Sequence, residues 1–275
     1  MTPLSSIHTN PLRDPAEINA GPFSAHGKRP TVSVVIPALN EAENLPHVLM
    51  RIPDWVDEVL LVDGHSVDGT TEVAQRCWPG IRIIAQEGRG KGAALRSGFA
   101  AAAGDILVML DADGSTDPAE IPAFVGALLA GADFAKGSRF LQGGGTIDMP
   151  LYRQLGNRCF VLIVRLLFGG SYSDLCYGYN AFWSRAVSRL RLDGDGFEIE
   201  TMMNVRALWV GLKVVEVPSF EYRRVYGVSR LRTIPDGWRV LKTIFKEWIK
   251  HPGARLARGE QRWQSARLDI RDDRV

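Results

Sequence analysis

Two aspartates one residue apart, Asp111 and Asp113, follow an apolar run at residues 106–110. Because alternate side chains of extended backbone share a face, both carboxylates can point into one site. Two close carboxylates are unfavourable unless a cation lies between them. Their oxygens suit Mg²⁺ or Mn²⁺, with substrate phosphates and water completing the coordination. The pair therefore predicts a divalent-metal site, although the same acids could simply cap a loop and the start of a helix.

Alternating strands and helices must position this pair. Short apolar runs of buried-strand length recur in the first half of the chain, at residues 31–38, 58–64, 81–86 and 105–110. Helical patterns follow these runs, at residues 40–52, 67–77, 90–103 and from 117 onward. Such alternation predicts an α/β fold, a mostly parallel sheet with helices on both faces.

Two of these helices begin with capping signals. Asn40 precedes Glu43 by three residues, and Asp117 precedes Glu120 by the same interval. Each pair has the spacing of an N-cap and its reciprocal partner, and Pro118 suits the first helical position. We therefore expect helices to start at Asn40 and at Asp117.

The ends of the predicted strands indicate where a ligand would bind. In an open parallel sheet, ligands bind at the carboxyl ends of the strands. Asp111 and Asp113 end the fourth strand, and Asp63 ends the second. The three acids are therefore expected at the same edge of the sheet.

Composition limits the class of protein. The 275 residues are 45% hydrophobic and 23% charged, with a net charge of +2, as in soluble globular proteins. The three cysteines lack CxxC spacing, which fits a reducing compartment and disfavours a disulfide scaffold or a zinc site. We expect no signal peptide, because no basic stretch precedes an apolar core at the N-terminus. The longest apolar run, residues 160–168, is broken by Arg165 and is far shorter than the roughly 20 residues that span a bilayer.

The second half of the chain has a mixed pattern after a glycine-rich loop at residues 143–145. The expected elements are a helix from about Tyr152, a strand at 180–183, a helix from about Glu198 and a strand at 213–218. Residues 1–30 and 253–275 lack periodicity and are predicted to be disordered tails, the second of them charged. The predicted catalytic domain spans residues 31–235.

Residues 236–252 are predicted to form a basic amphipathic helix. One side would carry Trp238, Leu241, Phe245, Trp248 and Ile249. Another would carry Arg239, Lys242, Lys246 and Lys250. Such a helix suits an anionic membrane surface, and the competing interpretation is a helix packed on the catalytic domain with a solvated basic face. Basic segments also bind nucleic acid, but no nucleic-acid-binding fold is indicated, so no nucleic-acid partner is expected.

Eight motifs lie between residues 34 and 231, within a stretch from about 32 to 250 that the resemblance described below covers. They are VVIPALNEAENLP (34–46), VLLVDGHSVDGT (59–70), GRGKGAALRSGF (88–99), LDADGSTDPAEIP (110–122), GSRF (137–140), SDLCYGYNAFW (173–183), GFEIET (196–201) and VYGVSRL (225–231). Their order and spacing resemble those of inverting family 2 glycosyltransferases, in the branch of dolichyl- or polyprenyl-phosphate mannose synthases. The resemblance implies a Rossmann-like GT-A sheet, a nucleotide-sugar donor, Mg²⁺ or Mn²⁺ as cofactor and a polyprenyl-phosphate lipid acceptor.

The resemblance also implies roles for the donor side of the site. The base and ribose pocket would be lined by Pro37, Ala38, Asn40 and Glu41. Asp63 would contact the nucleobase, and Lys91 would lie beside the nucleotide. Asp111 and Asp113 would frame the metal, with Ser115 as a third contact. The chain departs from the family at two of these positions, since Gly64 stands where a second Asp is frequent and Ser115 where close relatives often have Gln.

The resemblance also implies a set of cationic residues that would face the phosphates. Positive charge for the phosphates would come from Arg139, Arg153, Arg224 and Arg230. Ser229 would lie in the same late loop as the last two arginines, and Asp174 would touch the donor sugar. Asp113, Arg139 and Glu200 are the residues expected to carry catalysis.

The acceptor decides whether a general base is needed. The oxygen of a lipid monophosphate is already an anion, so arginines need only align two phosphates that would otherwise repel. A hydroxyl acceptor must lose a proton to a carboxylate, for which Glu198 and Glu200 are the candidates and Glu200 is preferred. Either glutamate could instead simply begin a helix.

Three further functions compete with transfer to a lipid phosphate. They are transfer to a hydroxyl of a polysaccharide or metabolite, nucleotide-sugar binding without catalysis, and sugar nucleotidyl transfer. The last class usually has a glycine-rich loop after its first strand, where this chain reads PALNEAEN (37–44). We expect a cytoplasmic enzyme bound peripherally to the cytosolic face of the membrane.

Overall fold

A seven-stranded sheet forms the centre of the computed structural model, which describes residues 29–229 and 231–250. Its strands are β1 (Val32–Ala38), β2 (Glu58–Asp63), β3 (Arg82–Ala85), β4 (Ile106–Met109), β5 (Phe134–Ser138), β7 (Asn180–Trp183) and β8 (Val214–Pro218). A separate pair joins β6 (Gly145–Thr146) to β9 (Phe220–Glu221). The predicted disordered tails lie outside the described residues, apart from Arg29 and Pro30.

Helices occupy most of the connections between the strands. They are α1 (Leu45–Leu49), α2 (Thr70–Cys77), α3 (Lys91–Ala101), α4 (Ile121–Leu129), α5 (Leu151–Phe168), α6 (Ser184–Leu190), α7 (Ile199–Trp209) and α8 (Thr233–Lys250). A short 3₁₀ turn at Pro118–Glu120 leads into α4. None of the helices within 29–229 and 231–250 is long and apolar enough to cross a membrane.

The strand order is β3-β2-β1-β4-β7-β5-β8. Neighbouring strands are parallel except around β7, which runs antiparallel to both β4 and β5. This arrangement confirms the predicted α/β fold with a mostly parallel sheet. It also brings the ends of β1, β2 and β4 to one edge, where Ala38 pairs in register with Asp63.

Helices cover both faces of the sheet, as predicted. Along β1, Val34 and Ile36 belong to a core built with α1 and α4. Val35 points the other way, into a second core to which α3, α5, α7 and α8 contribute. The alternation follows from the period of two in extended backbone.

Helix α3 packs closely on β1 and β2 because it carries small residues. A Cβ atom added at Gly98 would collide with Val35 and lie 2.8 Å from Val62 Cγ2. This close packing fixes the height of α3 above the sheet, and with it the position of Lys91 in its first turn.

The two predicted capping boxes are wrong in detail. Asn40 has a left-handed backbone with φ 53°, and α1 starts five residues later at Leu45, because Asn40 accepts a hydrogen bond from Val67 N and shapes a turn instead. Asp117 does cap its helix, accepting from Ala119 N at 2.9 Å. Glu120, however, binds Ser219 Oγ and Phe220 N, so its carboxylate ties α4 to β9.

The C-terminal helix α8 starts at Thr233, three residues before the predicted start, and its last two predicted residues lie outside the described chain. Its buried face consists of Asp236, Val240, Thr243, Ile244 and Glu247. The apolar side chains that the sequence singles out largely avoid this interface. Trp238, Phe245 and Ile249 are 57%, 42% and 70% exposed. The helix therefore packs on the domain and also presents an apolar face to the outside.

Candidate active site

The two aspartates after β4 point into a shared cleft. Their side chains are 26% and 25% exposed at Asp111 and Asp113, whereas Ala112 between them is buried. Both carboxylates therefore line the cleft, but the predicted reason is wrong: β4 ends at Met109 and residues 112–113 form a turn, so the turn and not strand alternation orients the second aspartate. Asp113 Oδ1 accepts a hydrogen bond from Ser115 N at 3.0 Å, which fixes the orientation of the carboxylate.

Lys91 neutralises part of this charge. Its Nζ atom lies 2.6 Å from Asp111 Oδ1 and 2.7 Å from Glu200 Oε1. Burial by itself would lower the pKa of Lys91, but the two adjacent carboxylates more than offset burial and raise that pKa above its usual value. Lys91 is therefore a permanent cation beside the aspartate pair.

The glycines around Lys91 allow close backbone packing. Gly90 has φ 96°, and a Cβ atom at Gly92 would collide with Gly194 O. Gly92 N instead donates to Asp195 O at 2.8 Å. The turn is thus built to contact the segment that precedes α7, which carries Glu200.

Arg224 supplies a second cation. Its Nη1 atom lies 3.3 Å from Asp113 Oδ2, and its Nη2 atom binds both carboxylate oxygens of Glu41. Glu41 is 7% exposed and also accepts from Asn44 Nδ2 at 2.6 Å. The predicted base-pocket residue Glu41 is thus engaged with Arg224 in this structure.

The segment around Arg224 crosses the aspartates. Tyr222 N donates to Ser115 O at 2.8 Å, and Val225 N donates to Asp113 O at 3.3 Å. Asn44 holds the same segment from the other side, since Tyr226 N donates to Asn44 Oδ1 at 2.8 Å and Asn44 Nδ2 donates to Tyr226 O at 3.2 Å. Residues 222–226 are therefore held in place by hydrogen bonds to Asp113, Ser115 and Asn44.

Two clefts meet at this point, and we label them donor-side and acceptor-side after the roles that the family resemblance implies. The donor-side cleft, of ≈ 470 Å³, runs from the β1 and β2 ends to the aspartates. The acceptor-side cleft, of ≈ 260 Å³, runs from the aspartates to the space between α5 and α8. Both are lined by Lys91, Asp111, Asp113, Phe197, Arg224 and Ser229. This shared set marks a junction where groups bound in the two clefts would face each other.

Three of the predicted base-pocket residues line the donor-side cleft, namely Pro37, Ala38 and Glu41. Two others are outside its lining. Asn40 accepts from Val67 N at 2.8 Å, and the Asp63 carboxylate accepts from His65 N and Ser66 N at 3.2 Å. Both side chains shape turns at the mouth of the cleft, and their predicted contacts with a nucleotide stay predictions.

Of the predicted arginines, Arg139 is the most heavily paired. It is 6% exposed, and its Nε atom lies 2.7 Å from Asp174 Oδ2, while its Nη1 atom lies 3.0 Å from Glu221 Oε1. Burial would raise the pKa of Asp174, but Arg139 and Lys136 outweigh it and lower that pKa. Asp174 is fully buried and lies outside the lining of both clefts, so it fixes Arg139 at the wall of the acceptor-side cleft.

Arg153 and Ser229 also line the acceptor-side cleft. Arg153 lies in the first turn of α5 and donates to Thr233 Oγ1 at 3.1 Å and to Leu231 O at 3.3 Å. It therefore joins α5 to the start of α8 beside the cleft. Arg230, the remaining predicted arginine, lies outside the described residues.

The two candidate glutamates differ in their surroundings. Glu200 is 5% exposed and lines the acceptor-side cleft, where Lys91 occupies Oε1. Glu198 accepts from Asp195 N and Gly196 N through Oε1 and stabilises the loop before α7. Glu200 therefore lines the cleft, whereas Glu198 stabilises a loop.

Sequence reasoning missed several residues that line the clefts. On the donor side they include His65, Gln86, Arg89 and Phe197, and on the acceptor side Tyr152, Phe160 and Val240. His65, Arg89 and Phe197 lie within motifs quoted above and Gln86 lies two residues before one, so membership of these motifs or proximity to them was the available signal. Phe160 and Val240 come together only because α5 packs on α8.

The oxygen atoms at the junction fit a divalent cation. Asp111 and Asp113 present carboxylate oxygens to the cleft, and Mg²⁺ and Mn²⁺ prefer such hard ligands. No group of three or more acidic, histidine or cysteine ligands is assembled within 29–229 and 231–250. A bound ion would therefore need Asp111 and Asp113 together with ligands from substrate and water.

The sequence matches the family model for glycosyl transferase family 2 over residues 33–191. Among similar proteins, polyprenol monophosphomannose synthase of Mycolicibacterium smegmatis is 33% identical, over 80% of this chain and 88% of that protein. Undecaprenyl-phosphate mannosyltransferase of Micrococcus luteus is 33% identical, over 73% and 87%. Dolichol-phosphate mannosyltransferase of Pyrococcus furiosus is also 33% identical, but the match spans 62% of its length.

Solved structures with the same fold include glucosyl-3-phosphoglycerate synthase of Mycobacterium tuberculosis. Its complex with Mg²⁺ and UDP superposes with a TM-score of 0.64 at 25% identity, covering 79% of each chain. Its complex with Mn²⁺, UDP-glucose and glycerol 3-phosphate gives a TM-score of 0.63, covering 79% of this chain and 80% of that one. The predicted GT-A fold and the resemblance to polyprenyl-phosphate mannose synthases are confirmed, and the chain belongs to glycosyl transferase family 2.

Proposed function

We propose that this glycosyltransferase moves a sugar, with inversion, from a nucleoside-diphosphate sugar of the GDP-mannose or UDP-glucose type to a polyprenyl phosphate. The observation that carries the proposal is the junction of two clefts at Asp111, Asp113, Lys91 and Arg224. A donor diphosphate in one cleft and an acceptor phosphate in the other would meet there.

The lining of the acceptor-side cleft combines cationic and apolar side chains, which matches the two parts of a lipid phosphate. Arg224 and Ser229 lie at the junction, Arg153 lines the cleft where α5 meets the start of α8, and Phe160 and Val240 line the part between these two helices. Arginine suits phosphate because its planar fork donates two hydrogen bonds. Apolar side chains at the other end suit a hydrocarbon chain. The relatives reported above are a polyprenol monophosphomannose synthase, an undecaprenyl-phosphate mannosyltransferase and a dolichol-phosphate mannosyltransferase, and these activities support the same class of acceptor here.

We assign a separate chemical role to each of the residues at the junction. Asp111 and Asp113 would hold the metal, and a bound Mg²⁺ or Mn²⁺ neutralises charge that develops on the leaving diphosphate. Ser115 lines the acceptor-side cleft two residues after Asp113 and is the proposed third contact. Lys91 and Arg224 add fixed positive charge at the same place, so positioning and electrostatics lower the barrier. The acceptor phosphate is already an anion, so Glu200 need not remove a proton.

Helix α8 supports docking of the enzyme on a membrane surface. Trp238, Phe245 and Ile249 are exposed beside Lys242 and Lys246. Helix α5, which packs against α8, also exposes apolar side chains, at Leu155, Leu162 and Leu166. A face of this composition matches the boundary between the headgroups and acyl chains of an anionic bilayer. We propose peripheral binding at the cytosolic face, with the acceptor-side cleft opening between the two helices.

The test is a transfer assay with Mn²⁺ or Mg²⁺ in detergent. Radiolabelled GDP-mannose and UDP-glucose are offered in turn with a short polyprenyl phosphate, and label in the organic phase is measured. Transfer with one donor supports the proposal and identifies that donor. Label that stays in water with both donors, although nucleotide binds, would overturn the lipid acceptor.

Transfer to a small phosphorylated hydroxyl compound is the second candidate. The structural neighbour whose complex contains glycerol 3-phosphate favours it, because a phosphate on that ligand could use the same arginines. Glycerol 3-phosphate and phosphoglycerate therefore belong in the same assay. This reaction requires a base, so Glu200→Gln should abolish it.

A further inference from the structure

The carboxylate of Glu200 is buried in the protein and directed at Lys91. Glu200 is 5% exposed in the first turn of α7, among the buried side chains of Ile199, Met202 and Met203. Carboxylates are almost never buried without a partner. Its partner is Lys91 Nζ at 2.7 Å, which lies 109 residues away in the sequence.

The contact with Glu200 determines where the Lys91 ammonium stands. The side chain of Lys91 has a flexible four-carbon stem, and Asp111 at 2.6 Å attracts its ammonium toward the aspartate pair. Glu200 binds the same ammonium from the opposite element, α7. Lys91 is consequently held at the junction of the two clefts, on one side of Asp111.

Gly178 leaves the space in which these three groups meet. A Cβ atom at this position would lie 2.7 Å from Asp111 Oδ2, 2.8 Å from Lys91 Nζ and 3.0 Å from Glu200 Oε1. The φ of Gly178 is not in the left-handed region, so its backbone does not require glycine. A side chain at position 178 is therefore disfavoured because it would occupy the space that the three charged groups need.

The backbone around Lys91 and Glu200 is joined as well. Gly92 N and Ala93 N both donate to Asp195 O, at 2.8 and 3.2 Å. Arg96 Nη2 binds Asp195 Oδ1 at 2.7 Å. The start of α3 and the segment before α7 thus form one unit, and the Lys91–Glu200 ion pair lies at its end that faces the junction.

We propose that Glu200 is a positioning residue that holds Lys91 against the diphosphate of the donor. The inference rests on the proposed function for the identity of the donor, a nucleoside-diphosphate sugar, and is independent of the acceptor. If Asp111 contributes to a metal site, Glu200 would keep the Lys91 ammonium from occupying that site. Lys91 would then offer the diphosphate a positive charge in addition to that of the metal.

A positioning role and a general-base role for Glu200 predict different energetic coupling between Glu200 and Lys91. If Glu200 acts through Lys91, its replacement has no further effect in a variant that already lacks Lys91. If Glu200 acts independently as a base, its replacement still has an effect in that variant. Double-mutant cycles measure this difference. The variants are Glu200→Gln, Lys91→Met and the double variant. Glu198→Gln is the matched control, because Glu198 is two residues away and binds loop backbone outside both clefts.

The first measurement is titration calorimetry with UDP and GDP in the presence of Mn²⁺, which needs no acceptor. We expect Glu200→Gln and Lys91→Met each to weaken nucleotide binding about 10-fold, the equivalent of one charge-assisted contact. The double variant should bind as weakly as Lys91→Met alone, within about 3-fold, and Glu198→Gln should bind like wild type. Effects that multiply to about 100-fold would overturn the proposal.

Turnover provides the second measurement. Glu200→Asp keeps the charge at a shorter reach and should recover part of the kcat lost in Glu200→Gln, and thermal melts verify that each variant is folded. If Glu200→Gln does not fold, Glu200→Asp takes its place in the cycle, with the same two outcomes. Failure of lipid transfer with intact coupling would reject the acceptor and leave the positioning role standing. Coupling that is absent while wild type still transfers label to lipid would reject the positioning role alone.

Discussion

Arg224 Nη1 lies 3.3 Å from Asp113 Oδ2, so a cation of the protein already contacts the aspartate proposed to bind the metal. The same guanidinium is anchored by Glu41 from the β1–α1 turn. A metal ion at Asp113 therefore has to share this carboxylate with Arg224 or displace it. Displacement would free Arg224 to contact the phosphates of the substrates.

Replacement of Asp113 should remove activity without unfolding the chain. We expect Asp113→Asn to lower the rate of sugar transfer about 100- to 1,000-fold, the range for loss of one transition-state electrostatic contact. Its side chain is partly exposed, so thermal stability should change little. Asp54→Asn, a change of an exposed aspartate, is the control. Transfer at the wild-type rate would contradict the assignment of Asp113 to the metal site.

Arg224→Met should separate metal binding from turnover. Loss of the competing guanidinium should strengthen the binding of Mn²⁺ in the absence of nucleotide by about 10-fold, since one nearby positive charge is removed. Turnover should fall, because the charge that faces the phosphates is also lost. Mn²⁺ affinity is measured by electron paramagnetic resonance, and kcat by label transfer. An unchanged Mn²⁺ affinity would show that Arg224 does not compete with the metal.

Periodicity was sufficient to predict the strands that build the edge of the site. The runs before Asp63 and Asp111 are apolar because β2 and β4 are covered by helices on both faces, so their ends could be located from sequence. Strand β5 was missed because it contains Lys136 and Gly137. Lys136 is fully buried, and burial lowers its pKa although the nearby carboxylates of Asp174 and Glu216 act in the opposite direction. The local sequence pattern reveals neither the burial nor these partners.

The pairing of charges could not be predicted. Arg139 meets Asp174 and Glu221, which are 35 and 82 residues away. The resemblance indicated that Arg139 belongs to the site, but its two carboxylate partners follow from the packing of β5 against β7 and β8. Contacts of this range depend on strand order, and a single sequence does not specify that order.

Asp174→Asn should destabilise the protein in a pH-dependent way. Removal of one partner from a buried ion pair costs about 3–5 kcal/mol, because Arg139 and Lys136 lose a counter-charge. The pKa of Asp174 is lowered in the folded state, so its contribution is complete above the ordinary carboxyl pKa of about 3.8 and is lost as the pH falls through the folded value.

Urea unfolding of wild type and Asp174→Asn at pH 7 and near pH 3 measures this effect. The difference in the free energy of unfolding should be large at pH 7 and smaller at the acid pH. A difference that is constant with pH would show that the ionised form of Asp174 is not what stabilises the fold.

Two glycines in helices should respond in opposite directions to alanine. Gly98→Ala places a methyl group against Val35 and Val62 and should cost about 1–3 kcal/mol. Gly126 in α4 has no atom within 4 Å of an added Cβ, so Gly126→Ala should stabilise by about 0.4–1 kcal/mol through lower entropy of the unfolded chain. Thermal and urea unfolding give both values. Equal effects at the two sites would argue against close packing of α3 on the sheet.

Lys242→Ala with Lys246→Ala should weaken binding to anionic vesicles. Each lysine near such a surface contributes about 1 kcal/mol, so loss of both should lower partitioning into phosphatidylglycerol vesicles about 30-fold. The control is Arg76→Ala with Lys213→Ala, which removes the same charge from exposed positions on α2 and before β8. Sedimentation with vesicles at low and high salt measures the effect, and salt should reduce the difference between the variants because it screens surface charge. If both double variants bind equally, the exposed face of α8 is not the membrane contact, and the apolar side chains around Trp238 would have to serve another partner.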